Sequence, residues 1–134
     1  MNDVVANKIQ SLQRCIGRVR EEFEHSGRNL GSDISRQDAA ILNITRACEV
    51  AIDLANYTVK LRKLGIPNDS RESFQLLEDA GLISSAMSLR LQSMVGFRNV
   101  AVHDYRRLDL DIVHRIIEQD LDELLAFAEG VRTL

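Results

Sequence analysis

Along the first stretch of the chain the apolar residues Val5, Ile9, Leu12, Ile16, Val19 and Phe23 recur in alternating steps of four and three. That spacing stacks them on one face of a helix, with Lys8, Arg14, Arg18, Arg20, Glu21 and Glu22 on the solvated side. Ser26-Gly27 and then Asn29-Leu30-Gly31-Ser32 end this helix in a loop. Ser32 or Asp33 is placed to cap a second helix, whose stripe of Ile41, Ile44, Cys48, Ala51, Ala55 and Val59 carries it to Leu64. Gly65-Ile66-Pro67 stops it, because glycine suits the position after a helix and proline cannot continue one. A helix of ~30 residues spans ~45 Å and organises the rest of so short a chain.

Ser70 is expected to cap a short third helix carrying Phe74, Leu77 and Ala80 and closed by Gly81. Ser84 or Ser85 opens a fourth, running through Met87, Leu91, Met94 and Val95. The last starts near Asp109 and runs towards Val131 on a stripe of Val113, Ile117, Leu121, Leu124, Ala128 and Val131. There is no strand-like alternation, internal repeat or low-complexity tract. The pattern predicts an all-α protein, an antiparallel bundle of four to five helices forming one domain over residues 1–134.

Composition sharpens this picture only slightly. With aromatic residues at 4% and no Trp, the core must be built from aliphatic side chains. A formal net charge of -3 argues against a protein that coats nucleic acid by bulk charge, yet leaves room for a local basic site. Cys15 and Cys48 lack any paired spacing that indicates metal or redox chemistry, and read as small buried hydrophobes. No apolar run approaches the ~18 residues of a membrane span, and no secretory leader is recognised; a cytoplasmic protein with no membrane association is expected.

One segment breaks the apolar pattern. Steps of three and four from Leu91 lead to Met94, then Arg98, Ala101 and Tyr105, so an arginine stands on an otherwise apolar face. Taken alone, Arg98 would be a snorkelling side chain or the partner of a nearby carboxylate. His103 follows five residues later, and Tyr105 two after that. On a straight helix Arg98 and His103 diverge by ~140°. They meet only if the helix ends or bends near Val102, or if a second copy of the chain brings its own segment alongside. Gly96 lacks a side chain just upstream, at a cost of ~1 kcal/mol relative to Ala, as expected where another backbone packs close. Arg106 and Arg107 add positive charge beside the histidine. These residue types suit phosphate chemistry. Arginine grips phosphate through paired hydrogen bonds and keeps its charge, and histidine exchanges protons near neutrality. RNA supplies its own nucleophile, the 2′-hydroxyl, so such a pair needs no metal.

Arg98-Asn99-Val100-Ala101-Val102-His103, extended through Asp104-Tyr105, resembles the Arg, four-to-six residues, His motif of the HEPN helical domains in its longer Arg…His-x-Tyr form. Helix count, chain length and the position of the motif before the last helix make the resemblance extend over nearly the whole chain, to HepT-type toxins in particular. The resemblance implies a metal-independent endoribonuclease toxin of a type VII-like toxin–antitoxin pair, acting on RNA as a homodimer and requiring no cofactor. Arg98 and His103 would be catalytic, Asn99 would position substrate or histidine, and no residue would bind metal. Tyr105 would receive AMP from a cognate minimal nucleotidyltransferase, the antitoxin, bringing negative charge and bulk into a site meant for RNA phosphate. The alternative is a catalytically silent HEPN domain that binds nucleotide or serves as substrate-recognition subunit of that transferase.

Remaining candidates read as structural. His25 and His114 have no partners at metal-ligand spacing. Asp109 and Asp111 favour the positive end of the last helix. Glu49 and Asp53 are expected to pair with arginines such as Arg46, Tyr57 to pack with its hydroxyl at the surface, and Ser84-Ser85 to cap. Leu91, Met94 and Ala101, on the Arg98 face, supply apolar surface for self-association, and the sequence does not separate faces that form the bundle core from faces that form an interface.

Overall fold

The computed structural model describes residues 3–134, all of whose regular structure is helical. Helix α1 (Asp3–His25) and helix α2 (Ile34–Leu61) pack against each other along their length, joined by a short connection with one 3-10 turn at Leu30–Ser32. Every member of the α1 stripe from Val5 to Phe23 is buried, as is every member of the α2 stripe from Ile41 to Val59. Small residues Ala47, Ala51 and Ala55 are almost wholly enclosed, so α1 and its neighbours approach the α2 backbone closely. Asp33 caps α2, its carboxylate accepting from the Arg36 N–H at 3.1 Å. The helix ends at Leu61, three residues short of the sequence expectation. Gly65 follows at φ +132, a conformation that side chains avoid.

Helices α3 (Ser70–Asp79) and α4 (Ser85–His103) form a hairpin laid on α2. The third helix is capped by Asp69, not by Ser70. The Asp69 side chain accepts from the Glu72 N–H at 2.8 Å, leaving the Ser70 hydroxyl on the first helical residue for other work. Ser84 caps α4, accepting from the Met87 N–H at 3.1 Å. Phe74 and Leu77 are buried, whereas Ala80 is the exposed C-cap residue. Phe74 meets Phe127 edge-on, with ring centroids 5.5 Å apart, which ties the short third helix to the end of the chain.

The last stretch is one rod in three parts: α5 (Leu110–Arg115), capped by Asp109 as expected, a π turn at Ile116–Asp120, and α6 (Leu121–Arg132). Val113, Ile117, Leu121, Leu124, Ala128 and Val131 are all buried, facing α1, α2 and α4. The bundle therefore has one core that is mostly aliphatic but, against the expectation from composition, also takes in Phe23, Phe74, Phe97 and Phe127, with the C-terminal end of α4 and the turn after it at its edge. No helix among the described residues is long and apolar enough to cross a membrane.

Candidate functional site

Helix α4 continues unbroken through the motif. Arg98, Asn99 and His103 all lie on it, and the helical pattern persists beyond: the Asp104 N–H still bonds the Val100 carbonyl at 2.8 Å. No bend intervenes, so Arg98 and His103 leave the axis ~140° apart and one chain does not bring them together. Leu91 and Met94, two turns and one turn before Arg98, are buried in the chain's own core, and Ala101 packs against it. The expected self-association surface on that face is thus already used internally. The exposed large apolar residues of α4 are Leu89, Val100 and Val102 instead.

Arg98 sits half-buried at the border between the core and solvent. Among the described residues it pairs with no carboxylate. Its Nη2 donates to the Ser70 hydroxyl at 3.3 Å, and its Nε is buried without an acceptor. The guanidinium also lies near Cys48 of α2, whose thiol is pushed up to about 12 by burial, against an opposing pull from the Arg98 charge. An inward-facing cation with one neutral partner and an unused donor is poised for an anionic acceptor. Asn99 is exposed beside it. Together with Asp69, Ser70, Arg71 and Val95 these two residues line an open concavity of about 420 Å³ between the start of α3 and the end of α4.

His103 is the last residue of α4 and is exposed, its ring without a hydrogen-bond or ion-pair partner among the described residues. Asp104 caps the helix and Arg107 approaches it, Nε to Oδ2 3.7 Å, across the 3-10 turn Tyr105–Arg107. Tyr105 is exposed, yet its hydroxyl donates to the Asp38 carboxylate of α2. Partial burial, the hydrogen bond and the negative charge of Asp38 together push the phenol up to about 12. Among the described residues Arg106 makes no ion pair, so the positive character beside His103 comes mainly from it.

Several other expectations are corrected. Asp53 pairs with Lys8 at 2.8 Å rather than with Arg46. His114, by contrast, is the structural boundary residue expected: its Nε2 accepts from the Leu30 N–H at 3.2 Å and its ring stands 5.6 Å from that of Phe23. Gly96 makes room not for a backbone but for a side chain. A Cβ at Gly96 would lie 2.5 Å from Nη2 of Arg71, which reaches across from α3. Sequence reasoning missed Ser70, Arg71 and Asp38 as neighbours of the motif. Ser70 stands beside Asp69, and either could cap, so its hydroxyl looked committed; Arg71 and Asp38 carry no local signal at all. Only Gly96 hinted at an approach from outside the helix. Among the described residues, no three His, Cys, Asp or Glu side chains gather where they could hold a metal ion.

A helical bundle, without strands among the described residues and with an arginine–histidine motif at the end of its fourth helix, defines the class as a HEPN-type helical domain. The chain belongs to the ribonuclease HepT-like family, whose model matches residues 8–131. It is 42% identical over 132 residues to the mRNA nuclease HepT of Shewanella oneidensis, covering 98% of each chain. In structure it is similar to the tri-AMPylated HEPN toxin of Shewanella oneidensis in complex with an MNT antitoxin, with a TM-score of 0.93, 41% identity and full coverage of both chains. It is also similar to a toxin–antitoxin structure with AMP-PNP, with a TM-score of 0.93 and 40% identity, covering 99% of this chain and 100% of that one.

Proposed function

We propose that this chain is a metal-independent endoribonuclease toxin, working as a homodimer on RNA and silenced when a cognate nucleotidyltransferase attaches AMP to Tyr105. The single observation that carries the catalytic reading is Arg98: a guanidinium held by a neutral hydroxyl, with a buried donor left over, facing an open concavity. Arg98 takes the scissile phosphate and stabilises the charge that grows on its non-bridging oxygens as the 2′-hydroxyl attacks. His103 moves the proton, either from the attacking hydroxyl or to the departing 5′-oxygen. The new bond is from the 2′-oxygen to phosphorus and the broken one from phosphorus to the 5′-oxygen. The products are a 2′,3′-cyclic phosphate and a 5′-hydroxyl end. Asn99, one residue on from Arg98 and exposed, positions the substrate or the histidine.

The divergence of Arg98 and His103 along one unbroken helix supports the dimer, because a site needing both is completed by a second copy. For the switch, the Tyr105 hydroxyl attacks the α-phosphorus of ATP, the bond between the α- and β-phosphates breaks, pyrophosphate leaves and the phenolic proton is lost. The phosphodiester so attached adds about one negative charge beside His103 and Arg106, in competition with RNA phosphate. The likeness to an AMPylated toxin in complex with an antitoxin supports this regulation.

The test is to purify the chain without a partner, verify by intact mass that Tyr105 is unmodified, and incubate it with total RNA in EDTA beside His103→Ala. Cleavage by the native protein alone is the expected result. If neither cleaves any of several RNAs while the dimer is intact, the chain is a silent binding subunit and the catalytic reading falls.

A further inference from the structure

Arg71 has no assigned purpose, and its placement is unusual. It stands on the first turn of α3, is exposed, and forms no ion pair or hydrogen bond among the described residues. Arg18, Arg20, Arg28, Arg36 and Arg90 reach carboxylates, whereas Arg106 shares the unpaired state; what sets Arg71 apart is where its guanidinium rests. Instead of extending into solvent, its guanidinium lies against α4 at Gly96, where any larger residue would meet it. Arg71 and Arg98 line one concavity, together with Asn99.

Helical geometry orders these groups around α4. Taking Gly96 as origin, Asn99 lies ~60° round the axis, Val95 ~100° and Arg98 ~160° in the same sense, at ~100° per residue. The Arg71 guanidinium over Gly96 and the Arg98 guanidinium therefore flank Asn99, one on each side. Two positive groups straddle a single amide on an exposed helix face. Of the other side chains lining the concavity, the Asp69 carboxylate is the one negative group, and one of its oxygens already accepts the Glu72 N–H at the start of α3. The Ser70 hydroxyl is held by Arg98.

We propose that Arg71 forms a second phosphate subsite, binding the RNA phosphodiester next to the one held by Arg98, with Asn99 between the two. The proposal rests on the ribonuclease reading above and extends it to how the strand is held. A polynucleotide presents phosphates in series, so two arginines flanking one polar side chain take successive phosphates and leave the intervening nucleotide at Asn99. Arg71 then serves binding and register, whereas the reacting phosphate belongs to Arg98. Gly96 is part of the subsite because it leaves the space in which the guanidinium rests.

The test uses the full chain and a short single-stranded RNA in which every ribose is 2′-O-methylated, so that no nucleophile is available. Its affinity is measured by fluorescence anisotropy over a range of salt concentrations, and cleavage of the unmodified RNA is measured in parallel. Arg71→Ala is expected to weaken binding several-fold and to reduce the slope of log affinity against log salt by ~0.7, the value for one single-strand phosphate contact. KM should rise more than kcat falls. Arg71→Lys should restore part of the affinity, and Gly96→Ala, which displaces the guanidinium without removing it, should copy the loss while the protein stays folded by thermal melting. Wild-type affinity and slope in Arg71→Ala, with the wild type itself binding and cleaving RNA, would overturn the subsite alone. A wild type that neither binds nor cleaves RNA overturns the ribonuclease reading and the subsite with it.

Discussion

The Tyr105 hydroxyl donates a hydrogen bond to the Asp38 carboxylate, tying the turn after α4 to the early part of α2. Burial first, and then this hydrogen bond and the negative charge of Asp38, disfavour the phenolate, so the group is held up at about 12 against an ordinary 10.0. Since the folded value is the higher one, this tie contributes fully below pH 10.0 and is lost as pH rises through about 12. In Asp38→Asn the phenol should titrate closer to its ordinary value. Ultraviolet titration of the phenolate in a Tyr57→Phe background checks this; an unshifted curve would show that burial alone is responsible.

Arg98→Ala and His103→Ala should each lower RNA cleavage by a factor of ~100 or more, the usual scale for removing a charge stabiliser or a proton carrier. A composite site makes a sharper demand. When the two inactive variants are mixed and allowed to exchange subunits, each heterodimer has one site with both groups intact, so about a quarter of wild-type activity should return. Mixtures that stay inactive despite proven exchange would place both groups of each site in one chain.

Ser70→Ala removes the single hydroxyl that holds the Arg98 guanidinium. A stability loss of ~0.5–1.5 kcal/mol is expected for one hydrogen bond, small beside the effect on cleavage, because the arginine is released from its orientation. Comparison of thermal melting with cleavage rates separates the two.

Phe74→Ala should cost ~3–5 kcal/mol, since the ring is wholly buried and braced against Phe127. Because α3 is only 10 residues long and also carries Ser70 and Arg71, residual folded protein should cleave RNA poorly. Chemical denaturation and activity per folded molecule measure both. Gly96→Ala should move stability the other way, raising it by up to ~1 kcal/mol through helix propensity.

The stripes of α1, α2 and the final rod were all legible in the sequence, since burial selects apolar residues at helical spacing. The final rod is instructive: from Val113 to Ile117 to Leu121 the buried residues advance in two steps of four, which would drift off a straight α-helical face. The π turn at Ile116–Asp120 absorbs the extra residue, so the expected face survives by a local change that periodicity does not announce. The motif was legible too, because Arg98 interrupts an apolar run. Its surroundings were not. Ser70, Arg71 and Asp38 reach it from other helices, and such contacts depend on how elements cross rather than on spacing along any one of them. The same limit left open what covers Leu91 and Met94, whose apolar character says that they are covered, not by what.

Tyr105 stands on a three-residue turn outside the end of α4, exposed and tied down by one hydrogen bond. Nothing in the packed interior has to open for that hydroxyl to be reached. Its availability is therefore a matter of breaking one contact, and the timing of any modification is uncoupled from synthesis. On the proposed reading, a folded molecule would be modified as readily as one newly made, and the extent of shutdown would follow the supply of nucleotide and transferase at that moment rather than the history of the polypeptide.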